Sequence, residues 1–92
     1  MEDLLKQRPL RHPQVLWRAI EDETLVVNLD TRRVSVLNRV GGRVWSLMDG
    51  SRDLDEILDQ VARAYDVDRG RVKADVEAFV RELADREMLE WA

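Results

Sequence analysis

Residues 33–50 read Arg33-Val34-Ser35-Val36-Leu37-Asn38-Arg39-Val40-Gly41-Gly42-Arg43-Val44-Trp45-Ser46-Leu47-Met48-Asp49-Gly50, and the spacing of apolar residues changes part-way through. Up to Leu37 the period is two. Val34 and Val36 share one face and Arg33 and Ser35 the other, as in a strand with one face on a core. From Asn38 the period is that of a helix, with Val40, Val44, Leu47 and Met48 at i, i+4, i+7 and i+8. Asn38 is a good N-cap, and Gly50 is expected to end the helix as a C′ glycine. Gly41-Gly42 falls inside the helical pattern and fits neither G-x-G-x-x-G nor G-x-x-x-x-G-K-[ST]. Each glycine costs a helix about 1 kcal/mol relative to alanine, so a crowded contact is expected there.

Before this junction lie two more β-rich runs, Gln14-Val15-Leu16-Trp17-Arg18-Ala19-Ile20 and Thr24-Leu25-Val26-Val27-Asn28-Leu29. Glu21-Asp22-Glu23 and Asp30-Thr31-Arg32 separate the runs as turns. Such short connections predict an antiparallel meander over residues 14–37. After the junction, Asp53-Leu54-Asp55-Glu56 has the spacing of a capping box. Leu54, Ile57, Leu58, Val61 and Tyr65 then form a helical stripe. Asp68 is placed to cap a third helix, striped by Val72, Val76, Phe79, Val80 and Leu83 and running to about Glu87. Met88-Leu89-Glu90-Trp91 is expected to lie extended against the sheet. The order predicts an α+β, winged-helix-like domain: a three-stranded antiparallel sheet followed by three helices that cover its apolar face.

At 92 residues the chain makes one small domain. Its hydrophobic fraction of 45% suffices to fold it. Pro9 and Pro13 interrupt regular pairing, so residues 1–13 are read as a flexible segment and residues 14–92 as the domain. There is no cysteine and one histidine, so thiolate metal sites, disulfides and a cysteine nucleophile are out of the question. No cofactor is implied. The balance of 15 basic and 19 acidic side chains, net −4, disfavours phosphate-backbone binding. No stretch is apolar enough to cross a bilayer and the start is charged, unlike a signal peptide. The cytoplasm is the default location.

Residues with chemical potential have simpler explanations. His12, between Arg11 and Pro13, has no partner histidine or cysteine and reads as an exposed loop residue. Ser35, Ser46 and Ser51 stand in no nucleophile motif. Asp53, Asp55, Glu56 and Asp59 suit the first turn of a helix, where the macrodipole favours acids. Arg69, Arg71 and Lys73 open the third helix, but Asp66, Asp68, Asp75 and Glu77 offset them. Trp17, Trp45 and Trp91 are core or edge packing, or anchors for a peptide. Catalysis is thus disfavoured, and the most usable feature is an unpaired sheet edge beside a helix, a template for an added strand.

The stretch Leu37 to Gly50 resembles the LNxxGxxIWxLxDG signature of PqqD-like proteins. Leu54-Asp55-Glu56-Ile57, Tyr65, Asp75-Val76-Glu77-Ala78-Phe79-Val80-Arg81-Glu82-Leu83 and Met88-Leu89 are similar to the rest of that pattern. The second glycine of Gly41-Gly42 stands where alanine is frequent. The resemblance covers about residues 14 to 91. It implies a RiPP recognition element, which binds the leader of a ribosomally made precursor peptide and presents it to a separate enzyme. That enzyme is a radical-SAM maturase or a leader peptidase. The product is PQQ, a lasso peptide or another. The leader adds beside the third strand, with helix three as the other wall. Carried onto this chain, Arg33, Val34, Ser35 and Val36 offer the edge. Lys73, Val76 and Phe79 belong to the helix wall, and Arg71 and Asp75 pair with leader charges. The rival readings are a small winged-helix DNA-binding regulator and a homodimeric structural adaptor. Monomer and homodimer both stay open.

Overall fold

Two tight hairpins build the sheet. Strand β2 (Val15–Ile20) pairs antiparallel with β3 (Glu23–Asn28), and β3 with β4 (Val34–Leu37), in the order β2-β3-β4. The computed structural model describes residues 3–92. At the first turn Glu21 takes φ 56°, and at the second Arg32 takes φ 62°. Asn28 organises the second turn. Its Oδ1 accepts from the N–H groups of Asp30 and Thr31, at 2.9 and 3.1 Å, and its Nδ2 donates to the Glu87 carbonyl at 2.7 Å. Every polar atom of this side chain is used, which permits its burial.

Three helices follow: α1 (Arg39–Leu47), α2 (Leu54–Ala64) and α3 (Arg69–Asp85). Asn38 caps α1 by accepting from Gly41 N–H at 2.8 Å. Asp53 and Glu56 form the reciprocal capping box of α2. Asp68 stands at the N-cap of α3 but its side chain bonds no helical N–H. The acids of α2 instead hold Arg69: Asp55 pairs with its guanidinium, and Asp59 lies 3.0 Å from its Nε.

The core lies between the inner sheet face and the helices. Val26 and Leu37 of the sheet meet Val44 and Trp45 of α1, the Leu54, Ile57, Leu58 and Val61 stripe of α2, and Val76, Val80 and Leu83 of α3. Trp45 is fully buried, with the Trp17 ring edge-on at 6.4 Å. The Gly41-Gly42 pair is a packing contact as expected. A Cβ on Gly41 would sit 3.2 Å from the Phe79 ring, and one on Gly42 only 2.6 Å from Thr24 Oγ1.

Five expectations are corrected. Val34 and Val36 do not face the core. They are 51% and 60% exposed, while Ser35 and Leu37 turn inward. An apolar pair on alternate positions marks a face without saying which side the helices cover.

Helix α1 stops at Leu47, before Gly50. The glycine (φ 82°) lies in the following turn, where its N–H donates to the Pro9 carbonyl at 3.0 Å. A Cβ there would come within 3.3 Å of Ala92.

The C-terminal segment does not join the three-stranded sheet. Strand β5 (Leu89–Trp91) pairs with β1 (Pro9–Arg11) as a separate two-stranded ladder. The stretch within residues 1–13 read as flexible therefore contains a paired strand. Pro9 is tolerated because it is the first residue of a short strand. Leu4 and Leu5, in a 3-10 turn, pack against the core, and Gln7 accepts from Leu54 N–H through its backbone.

His12 is half-buried rather than exposed. Its Nδ1 accepts from Gln14 N–H, and Nε2 lies 3.7 Å from Glu90. No helix of the described residues is long and apolar enough to cross a membrane.

Candidate functional site

Strand β4 is an edge of the sheet, and its backbone geometry shows what it offers. Asn28 N–H donates to the Arg33 carbonyl at 3.0 Å, so that pair lies on the bonded side of the ladder. Antiparallel pairs alternate between bonded and non-bonded. Ser35 and Leu37, opposite Val26 and Thr24, therefore bond β3, and Val34 and Val36 turn their N–H and C=O groups to the open edge. Their side chains stand on the outer face, so the edge is open both along its backbone and above it.

Between this edge and α3 runs a groove. Its first part, a cavity of about 330 Å³, is lined by Val34, Ser35, Val36, Leu37, Asn38, Phe79, Glu82, Leu83 and Arg86. It continues past Asn38 and Phe79 into a second cavity of about 290 Å³ between α1 and α3. Val40, Gly41, Val44, Val72, Asp75 and Val76 complete that lining. From Val72 to Arg86, α3 rises roughly 21 Å, the length of about six extended residues. Gly41 allows the Phe79 ring to lie against α1 at the junction of the two cavities.

The first part of the groove has a charged rim. Arg86 donates to Ser35 Oγ at 3.2 Å and lies 3.5 Å from Glu82. Arg33, at the mouth, donates to the Asp85 carbonyl at 3.4 Å. Four valines and Phe79 give the second cavity an apolar wall, with the exposed Asp75 among its lining residues.

Of the residues singled out from the sequence, Val34, Ser35 and Val36 meet Phe79 in the first cavity, and Asp75 and Val76 join it in the second. Arg33 is adjacent. Arg71 and Lys73 are exposed and line neither cavity. Glu82, Arg86, Val72 and Val40 line the groove and were not foreseen. Helical spacing carried the signal for three of them. Val72, Val76, Phe79, Glu82 and Arg86 recur at three- and four-residue steps and so share one face of α3, whereas Lys73 is turned about 100° away from Val72.

Residues 23–89, from β3 to β5, match the family described as "Coenzyme PQQ synthesis protein D (PqqD)". The chain belongs to the PqqD family. Among its relatives is a "PqqA binding protein" of Rhodopseudomonas palustris (strain HaA2), 31% identical over 84 residues. That alignment takes in 91% of this chain and 82% of the relative. The "PqqA binding protein" of strain BisB5 is 35% identical over 63 residues, 68% of this chain. The chain spans 62% of the length of that relative. The fold of this PqqD-family domain is that of TbiB1, solved in complex with the TbiA(beta) leader peptide. The TM-score is 0.80 and the identity 36%, over 88% of this chain and 94% of TbiB1. The α+β order of sheet and then three helices is thus the order of a domain seen with a leader peptide.

Proposed function

We propose that this chain is a non-catalytic peptide-binding domain. It takes the leader of a ribosomally made precursor peptide as a fourth strand on β4 and presents it to a separate modifying enzyme, a radical-SAM maturase or a leader peptidase, in the cytoplasm. The observation that carries this reading is the open β4 edge, with the backbone groups of Val34 and Val36 free, facing the α3 groove. Backbone pairing supplies affinity whatever the peptide's sequence, and pockets for alternate side chains supply selectivity. Ser35 and Phe79 lie within the groove, Val76 and Asp75 further along, and Arg33 beside it, while Arg71 and Lys73 stand on exposed α3 surface outside both cavities. The relatives named for PqqA binding and the leader-bound TbiB1 support the same reading. A DNA-binding role finds less support. The exposed surface of α3 sets Asp75, Glu82 and Asp85 among Arg71, Lys73 and Arg81, with no continuous basic face.

The test is a fluorescence-anisotropy titration with labelled leader peptides, PqqA and the TbiA(beta) leader being the first probes. Saturable binding at micromolar concentration or tighter is expected, and Val36→Pro should weaken it at least about tenfold by removing an outward donor. Val36 is largely exposed, so the variant keeps its core. Unchanged affinity in the folded variant would sink this geometry.

A further inference from the structure

The β2-β3-β4 sheet has a second face, which the helices leave bare. Register places Leu16, Val27 and Val34 in one row across it, Arg18, Leu25 and Val36 in the next, and Ile20 beside Glu23 in the last. Leu16 is 62% exposed and Ile20 53%. A sheet with one solvated face normally alternates apolar with polar. Here every outward position except Arg18 and Glu23 is apolar. Arg18 makes no ion pair among the described residues, although it stands within this apolar surface.

The size of the face limits what can cover it. Three short strands present an apolar patch on the order of 500 Å², against roughly 800 Å² per partner in a stable interface. A two-fold contact with a second copy would also have to bury Arg18 and Glu23 of both copies in an otherwise apolar interface, where charges are costly unless closely paired. A fourth strand on β4 changes the area. Side chains alternate along a strand, so half of an added peptide's side chains enter the groove and half extend the outer face beside Val34 and Val36.

We infer that this outer face is the dock for the modifying enzyme, and that the bound leader completes it. The partner chemistry is an apolar protein surface bearing a carboxylate opposite Arg18. The inference rests on the reading of β4 as the peptide edge, but its own residues lie on β2, away from that edge. The enzyme would then recognise the peptide and its carrier together, and would favour the loaded carrier over the empty one.

The test uses the full chain, the labelled leader peptide that it binds, and the purified enzyme that modifies that precursor. The wild type should bind the enzyme more tightly with leader present. Leu16→Glu, Ile20→Glu and Arg18→Glu should each weaken enzyme binding at least about tenfold while leaving leader affinity within about twofold. Two substitutions at exposed apolar positions guard against misfolding of either, and circular dichroism checks both. Enzyme binding that all three variants retain would overturn the inference. So would a wild type that does not bind the enzyme, or one that forms dimers which Leu16→Glu dissolves in sedimentation. Failure of the wild type to bind leader would instead count against the β4 edge, because leader titration needs no enzyme.

Discussion

Arg86, in the turn that ends α3, donates a hydrogen bond to the hydroxyl of Ser35 in the middle of β4, at 3.2 Å. This contact fixes the separation of the two groove walls at one end. Arg86→Ala frees them, so more motion is lost when a peptide orders the groove. Leader affinity should fall roughly 3- to 10-fold, about 1 kcal/mol, measured by anisotropy. Chemical denaturation should change little, because both side chains are only part-buried.

Gly42→Ala tests the close approach of α1 to the sheet. Alanine is favoured over glycine within a helix by about 1 kcal/mol, but its Cβ would lie 2.6 Å from Thr24 Oγ1. Thr24 is buried and cannot swing away freely. The collision should prevail, with a net loss of about 1–3 kcal/mol in urea denaturation. Adding Thr24→Ala removes the offending oxygen. The double variant should recover part of that loss, giving a clearly non-additive cycle.

Asn28→Asp retains the oxygen that serves Asp30 and Thr31, but turns the amide facing the Glu87 carbonyl into an acceptor. Destabilisation of about 2–4 kcal/mol is expected near neutral pH. One oxygen of the introduced carboxylate still accepts from Asp30 and Thr31, but the other meets the Glu87 carbonyl, a contact that only a protonated carboxyl can turn into a hydrogen bond. The penalty therefore fades as pH falls, when the protonated oxygen can donate to Glu87. Denaturation midpoints that stay pH-independent relative to wild type would contradict this.

Asp49 titrates in the opposite sense. The Ser51 hydroxyl foremost, then the Ser51 N–H, hold its carboxyl below the ordinary 3.8, and Arg52 adds to them. A lowered folded pKa contributes stability above the unfolded value, and that stability is lost as pH falls through the folded one. Asp49→Asn should therefore narrow its stability gap to wild type as pH falls below the ordinary 3.8. Thermal unfolding above and below that pH measures it.

Much of this fold was legible because its signals are local. The β-branched runs marked three strands, Asn38 marked the junction to helix, and Asp53 with Glu56 marked the next start. Faces were harder. Val34 and Val36 look like core residues because they are apolar and alternate, yet their outward position follows from where α1 and α3 pack. The same non-local cause hid β1 and the partner of β5. The extended form of Met88 to Trp91 was legible, but Pro9–Arg11 is too short a run to recognise as a strand, and the pairing joins positions at opposite ends of the sequence. Periodicity marked Phe79 and Val76 only as members of an apolar stripe, and the family resemblance supplied their place in the groove wall. Glu82 and Arg86 share that face of α3, but a hydrophobic stripe does not register charged residues.

The β1–β5 ladder also bears on the order in which the chain folds. Its pairs Pro9 with Trp91 and Arg11 with Leu89 close a loop containing nearly all the other residues. Closing so long a loop is entropically demanding before the interior has collapsed, whereas the two hairpins and the α2–α3 pair join near neighbours. Those local elements should assemble early and the terminal ladder zip last. Amide exchange would then find Leu10 and Glu90 opening well below the energy of global unfolding, while Val26, in the central strand, exchanges only when the whole domain opens.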